Sequence, residues 1–180
     1  MLIDRVSHYR NEAHLYAGLI NLLLTLPLWM KKSTAVEVGS YIGESANILS
    51  LFFEKVICID PHEDPKVKKV FIANTGGRNI ELINATGYEA SKIFDMESLG
   101  FVNIDAVHTE EAVDEDIRCF YPKVMENGYI GGHDYDKENP GVVKVVNNIF
   151  EFPDFTFVDS SWLVKKVANR AVYGGLIHDY

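Results

Sequence analysis

The sequence has little that would tie it to a nucleic acid, a bilayer or an oxidising compartment. Lys and Arg number 17 against 26 Asp and Glu, a formal net charge of -9, and no dense basic run stands against that excess. Nucleic-acid binding rests largely on cationic contacts to phosphates, so the charge argues against such a partner and for a small molecule. Two cysteines occur, Cys58 and Cys119, far apart and in neither a C-x-x-C nor a zinc-ribbon spacing, and they read as two buried thiols. No apolar stretch reaches the ~20 residues that span a bilayer. The longest, Leu15 to Met30, is interrupted by Tyr16, Asn21, Thr25 and Pro27, and the first residues mix Arg5, Arg10 and Glu12 with apolar ones, unlike a secretory signal. The expectation is a cytoplasmic protein with no membrane partner. Repeats, low-complexity tracts and Ser/Pro-rich linkers are missing too, and 180 residues suit one domain with a full core.

What is present is 47% hydrophobic residues arranged in two periods. Leu15, Leu19, Leu22 and Leu26 recur at helical spacing until Pro27, and Ile20, Leu23 and Leu24 widen the stripe, which predicts a helical segment within residues 1–33. A face that broad needs cover, either from the domain or from a second copy in a homodimer. From residue 34 onward β-rich runs alternate with helical ones. The runs are Ala35 to Val38, Val56 to Asp60, Ile80 to Asn84, Phe101 to Asp105 and Tyr129 to His133; helical periodicity returns in Ile42, Ala46, Leu49, Phe53 and in Val113, Ile117, Phe120, Val124. Alternation of this kind implies crossover connections, hence a doubly wound, mostly parallel α/β sheet with helices on both faces. After a helix from about Gly141 to Phe150, the runs Phe155 to Asp159 and Trp162 to Val167 are separated by Ser160-Ser161 alone. That is a hairpin-length loop, so the seventh strand is expected to be antiparallel. A core over 34–167 and a tail over 168–180 complete the division.

Ligands of open α/β sheets bind outside the carboxyl ends of the strands, and those ends are polar here. Strand one runs into Gly39, strand two ends at Asp60, strand four at Asp105 and strand five at His133-Asp134. In the first turn, Gly39 and Gly43 let a ligand approach the backbone, and the helix that follows offers free N–H groups. Asp60 stands 21 residues after Gly39, at the tip of the next strand, where a carboxylate can hold ribose hydroxyls. An adenosine cofactor follows. Tyr41 occupies the place of the second glycine in a dinucleotide fingerprint, which disfavours a nucleotide-dependent oxidoreductase, and no Gly-Lys-Ser/Thr occurs for a P-loop. His62, His8, His14 and His178 lack a partner pattern and read as surface or packing residues. Tyr135, Trp162 and Tyr173 read as core residues, with an acceptor pocket as their alternative use.

The string Glu37-Val38-Gly39-Ser40-Tyr41-Ile42-Gly43-Glu44-Ser45 resembles the E-x-G-x-Y-x-G-x-S first motif of class I S-adenosylmethionine-dependent methyltransferases of the catechol type. Asn103-Ile104-Asp105-Ala106-Val107-His108 with Glu111-Ala112-Val113 is similar to the I-D-x-D-H-x-x-E-A-V block of small bacterial methyltransferases related to antibiotic-sugar O-methyltransferases. Pro122-Lys123-Val124, Gly131-Gly132-His133-Asp134-Tyr135 and Pro140-Gly141-Val142 follow the same group's later pattern. The resemblance covers roughly residues 34 to 167 and implies a Rossmann-like sheet of seven strands with the last antiparallel.

It implies further that Glu37, Gly39, Tyr41 and Ser45 line the methionine end of S-adenosylmethionine, with Ser40 and Gly43 also on the cofactor, that Asp60 holds the ribose, and that Ala85 and Thr86 flank the adenine. In the resembling enzymes a strand-four Asp and a strand-five pair hold a divalent cation. Here Asp105 and His133-Asp134 occupy those places, with Mg²⁺ or Mn²⁺ as candidate ions. Asp105 also counts as a catalytic and cofactor-side residue. His108 stands where catechol-type enzymes carry a basic Lys, and an imidazole suits proton abstraction near neutral pH. One position departs: Val107 replaces the block's second acid. The function implied is methyl transfer to a small-molecule acceptor, through a hydroxyl oxygen. A non-catalytic S-adenosylmethionine-binding module is the alternative that Val107 supports.

Overall fold

Strands form where aliphatic and β-branched residues run between polar turns: β1 (Thr34–Val38), β2 (Lys55–Ile59), β3 (Ile80–Ile83), β4 (Leu99–Ile104), β5 (Val124–Gly132), β6 (Phe155–Thr156) and β7 (Trp162–Lys165). The computed structural model describes residues 16–168 and joins these strands in one sheet of order β3-β2-β1-β4-β5-β7-β6. Every pair from β3 to β5 is parallel, whereas β7 runs antiparallel to both β5 and β6. The seven-stranded, Rossmann-like sheet and its reversed last strand are as the sequence predicts. Leu15, His8, His14, Tyr173, His178 and residues 169–180 of the expected tail lie outside the described residues.

Among the described residues six α-helices cover the two faces: α1 (Ala17–Thr25), α2 (Glu44–Phe52), α3 (Pro65–Thr75), α4 (Gly87–Ser91), α5 (Glu110–Phe120) and α6 (Pro140–Phe150). Side chains of a strand point alternately to opposite faces, and β1 shows the consequence. Val36 and Val38 enter a core built with α5 and α6, while Ala35 turns to a second core built with α1, α2 and Phe71 of α3. Leu19, Leu22 and Leu23 of α1, and Leu26 just beyond its end, are buried, each contributing roughly 1.5–3 kcal/mol. Ile20, Leu24, Leu28 and Trp29 stay exposed. No helix among the described residues is long and apolar enough to cross a membrane.

Two boundaries differ from expectation by three residues or more. Strand β5 starts at Val124 rather than Tyr129, with an irregular register between Leu99 and Phe101 of its partner. Strand β6 stops at Thr156, and five residues rather than two connect it to β7. The cause is Asp159, whose carboxylate leaves the ladder to accept hydrogen bonds from Leu19 N–H (2.9 Å) and Ser161 N–H (3.1 Å). It thereby caps α1, which offers no side-chain cap of its own.

Candidate functional site

The polar strand tips meet at one sheet edge. Gly39 N–H donates to Ile59 O (2.9 Å) and Asp105 N–H to Val38 O (2.8 Å), which draws the ends of β1, β2 and β4 together. Gly39 has φ +85°, and a Cβ there would stand 2.2 Å from Asp105 O. Gly43 has φ +82°, and its Cβ would stand 2.6 Å from Thr75 Cγ2 on α3. Both glycines are therefore required by left-handed backbone and by contacts within the chain, not by the approach of a ligand at Gly43. This corrects the sequence-based reason for them, although Gly39 does border the cavity described below.

Between the two glycines Tyr41 adopts a left-handed φ of +41°, uncommon for a bulky residue. Three hydrogen bonds hold it. Tyr41 N–H donates to Asp60 Oδ2 (2.8 Å), His62 N–H donates to Asp60 Oδ1 (2.7 Å), and His62 Nε2 donates to Tyr41 O (2.7 Å). A carbonyl only accepts, so the proton of a neutral His62 ring sits on Nε2. His62 is buried against Phe71, and its Nδ1, 3.7 Å from Asp60 Oδ1, has no hydrogen-bond partner. His62 is thus a packing residue, as one of its two expected readings has it, and also the clamp of the turn. Its one sequence signal is position, two residues after the carboxylate that it serves.

A cavity of about 520 Å³ opens over this turn, bordered by Tyr41, Asp60, Thr86, Asp105, Val107 and Asp116. A second, of about 230 Å³, touches Gly39, Ser40, Tyr41, Glu44, Ser45 and Asp105. A third, of about 240 Å³, is bordered by Tyr16, Ser45, Asn103, Asp105, His133 and Asp159. Glu37 lies beneath them, fully buried between its register partners Cys58 and Asn103. Burial pushes its carboxyl up to about 8 against hydrogen bonds from Ser45, Asn103 and Cys58. Ser40 is buried too, its hydroxyl beside the Cys58 thiol. Thr86 borders the large cavity but its hydroxyl is engaged in a capping box with Glu89 at the start of α4. Ala85 packs against the core. Tyr135 donates to Asn147 Oδ1 (2.8 Å) and Trp162 is a core side chain.

Charged groups converge at the tips of β4 and β5, where His108 Nε2 lies 3.0 Å from Asp134 Oδ2 and 3.6 Å from Asp105 Oδ1. One donor atom each from Asp105, His108 and Asp134 lies within 4.8 Å of the others. Two carboxylates and an imidazole fit a small divalent cation. The expected donors are Asp105, His133 and Asp134, converging on one cleft with His108 as base; the donor atoms that lie this close together are those of Asp105, His108 and Asp134. Neighbouring residues at a strand end diverge, and the left-handed φ of +61° at Asp134 aims its carboxylate at His108. His133 instead borders the third cavity and places Nδ1 3.3 Å from Asp134 Oδ1. Asp134 holds the His133 ring up at about 9, and His133 in turn holds the Asp134 carboxyl below its ordinary value. Asp105, and with it Asp134, raises His108.

Residues 36–135 match the family model described as a methyltransferase domain. No curated protein matches the sequence. Among solved structures, the chain is similar to phosphoethanolamine N-methyltransferase 1 of Haemonchus contortus in complex with phosphoethanolamine and S-adenosylhomocysteine. The TM-score is 0.66 at 15% identity, over 91% of this chain and 44% of that one, so this chain spans less than half of that relative. It is similar also to the N-methyltransferase NodS of Bradyrhizobium japonicum, with TM-score 0.59, 11% identity and coverage of 88% and 97%. An rRNA methylase of Streptococcus thermophilus gives TM-score 0.58 and 16% identity over 82% and 93% of the two chains. At these identities the likeness is one of fold.

Proposed function

We propose that this chain, which belongs to the methyltransferase-domain family, transfers the methyl group of S-adenosylmethionine to a hydroxyl of a small-molecule acceptor. The observation that carries this reading is Asp105, which borders the large cavity and both smaller ones. A donor on one side and an acceptor on the other meet at the tip of β4.

The large cavity is within the size range of cofactor sites. Each oxygen of Asp60 accepts one backbone N–H and keeps a lone pair for a ribose hydroxyl. Tyr41, Glu44 and Ser45 serve the methionine end, and the Ala85-Thr86 segment flanks the adenine. Bound S-adenosylmethionine supplies a methyl already activated on a sulfonium. The protein's tasks are to align the acceptor oxygen and to take its proton. The 240 Å³ cavity beside His133, Asp159 and Tyr16 receives the acceptor. His108, whose Nε2 faces both Asp134 (3.0 Å) and Asp105 (3.6 Å), takes that proton at Nε2 from the tautomer that carries its hydrogen on Nδ1.

A second reading is favoured by the convergence of Asp105, His108 and Asp134. These three would hold Mg²⁺ or Mn²⁺, a Lewis acid that lowers the pKa of an acceptor hydroxyl. His133 would then orient Asp134 from outside the donor set. The two roles of His108 exclude each other at Nε2.

Calorimetric titration with S-adenosylmethionine, S-adenosylhomocysteine and NAD tests the cofactor; the first two are expected to bind and NAD is not. Labelled methyl transfer to panels of hydroxylated and amino acceptors, with and without chelator, then tests the reaction. Binding of NAD alone overturns the reading, and transfer confined to amines overturns its hydroxyl half.

A further inference from the structure

Helix α5 carries Asp114, Glu115 and Asp116 in succession, which suggests a solvated acidic face. Asp116 does not belong to it. Val113, Asp116, Ile117 and Phe120 share one stripe of the helix and all four are buried, Asp116 at 7% exposure. Asp116 borders the large cavity together with Gly87 of α4, Ala112 of α5 and Val107. A Cβ at Gly87 would lie 2.1 Å from Asp116 Oδ1, so glycine at that position leaves the acid its place.

No hydrogen bond and no cation among the described residues compensates this carboxyl. Burial first, and then the charge of Glu115, push it up to about 7. A buried carboxyl without a donor is costly, and the cavity is the direction from which a donor can come. Val38, Val107 and Ala112 give the cavity apolar walls, its other carboxylates Asp60, Asp105 and Glu115 supply no donor, and the Thr86 hydroxyl is already engaged with Glu89. A flat base with apolar faces and one donor edge fits such a slot.

On the reading that the large cavity takes S-adenosylmethionine with its ribose on Asp60, we infer that Asp116 accepts a hydrogen bond from the exocyclic amino group of the adenine. Asp116 then makes the site selective for a purine that carries that group. Ala85 and Thr86 flank the base without reading its edge.

The test is a cycle between residue and ligand. Calorimetry on the full chain compares S-adenosylhomocysteine with its 6-deamino analogue, a change that removes the donor and adds nothing. The unsubstituted protein is expected to prefer the amino form about tenfold. In Asp116→Leu the preference falls below about twofold, with the deamino analogue bound as in the parent, which also reports that the variant is folded. Asp116→Asn keeps a carbonyl acceptor and retains most of the preference. A tenfold preference surviving in Asp116→Leu, or none in the parent, overturns the inference while the cofactor reading stands. Failure of the parent to bind either compound overturns the cofactor reading itself, and this inference with it.

Discussion

The tips of β1 and β2 and the tips of β4 and β5 both present carboxylates to one sheet edge, yet they stabilise them in opposite ways. Asp60 is held by two backbone N–H groups of its own turn, with His62 locking the same turn from behind. Asp105 and Asp134 face imidazoles instead, with His108 between them and His133 on the far side of Asp134. Backbone donors neither titrate nor leave, so the first region keeps its shape whatever occupies it. The second is an electrostatic balance that changes with every proton or cation added. The difference separates a site for holding from a site for reacting.

The strongest way to break the comparison is to remove charge from the second region only. If a cation acts there, excess chelator lowers turnover about a hundredfold or more, and added Mg²⁺ or Mn²⁺ restores it. Asp134→Ala then loses Mn²⁺ binding, measured directly by titration, while S-adenosylhomocysteine affinity stays within about twofold of the parent. Full turnover in chelator leaves His108 as base, and His108→Ala is then the variant that abolishes the rate.

Next in size is Asp60→Ala in the first region. It removes an acceptor of charge-assisted hydrogen bonds and frees Tyr41, so S-adenosylmethionine affinity falls by about 1.5–3 kcal/mol, roughly ten- to a hundredfold. The thermal unfolding transition remains cooperative, because Asp60 lies at a strand tip and outside both hydrophobic clusters. Unchanged affinity removes Asp60 from the site. His62→Phe follows at about 1 kcal/mol: it keeps an aromatic ring against Phe71 but loses the bond to Tyr41 O. Cofactor affinity drops several-fold with kcat preserved, and His62→Gln recovers part of it by donating to the same carbonyl.

The two regions also differ in how far they can be read from sequence. The β1 turn and Asp60 are legible because strand periodicity puts them at tips and a fixed separation links them. The reason for Gly43 is not, since it depends on Thr75 of α3 lying against it. At β4 and β5, topology alone brings Asp105, His108, His133 and Asp134 to one edge. Which of them converge depends on a left-handed φ at Asp134 that no residue type announces. His62 escapes for the same reason, since its own backbone takes a left-handed φ of +43°. Strand β6 is overextended in a sequence reading because Asp159 is committed to a helix some 140 positions earlier. Asp116 is the opposite case, visible in the helical period of Val113, Ile117 and Phe120 and hidden by its acidic neighbours.

Asp116 supplies the smallest predicted effect and the sharpest contrast, as a carboxyl stabilised neither by backbone donors nor by imidazoles. Its folded pKa of about 7 stands above the ordinary Asp value of 3.8. Folding therefore favours the protonated form, and the sign follows from linkage. The stability associated with that proton is fully present below about 3.8 and is lost as pH rises through about 7, beyond which the loss is constant. Asp116→Asn has no such proton, so its advantage over the parent grows between those limits and levels off above them. Water entering the cavity reduces the effect, and about 1 kcal/mol, or a few degrees in Tm, is expected at pH 8 with little difference at pH 4. Saturating S-adenosylhomocysteine supplies the missing donor and narrows the gap at pH 8. Thermal unfolding of both proteins across pH 4–8, with and without that ligand, measures all of this. Stability curves that stay parallel in pH show that the Asp116 carboxyl is compensated in the folded chain, and it then joins Asp60 as a carboxylate held from within.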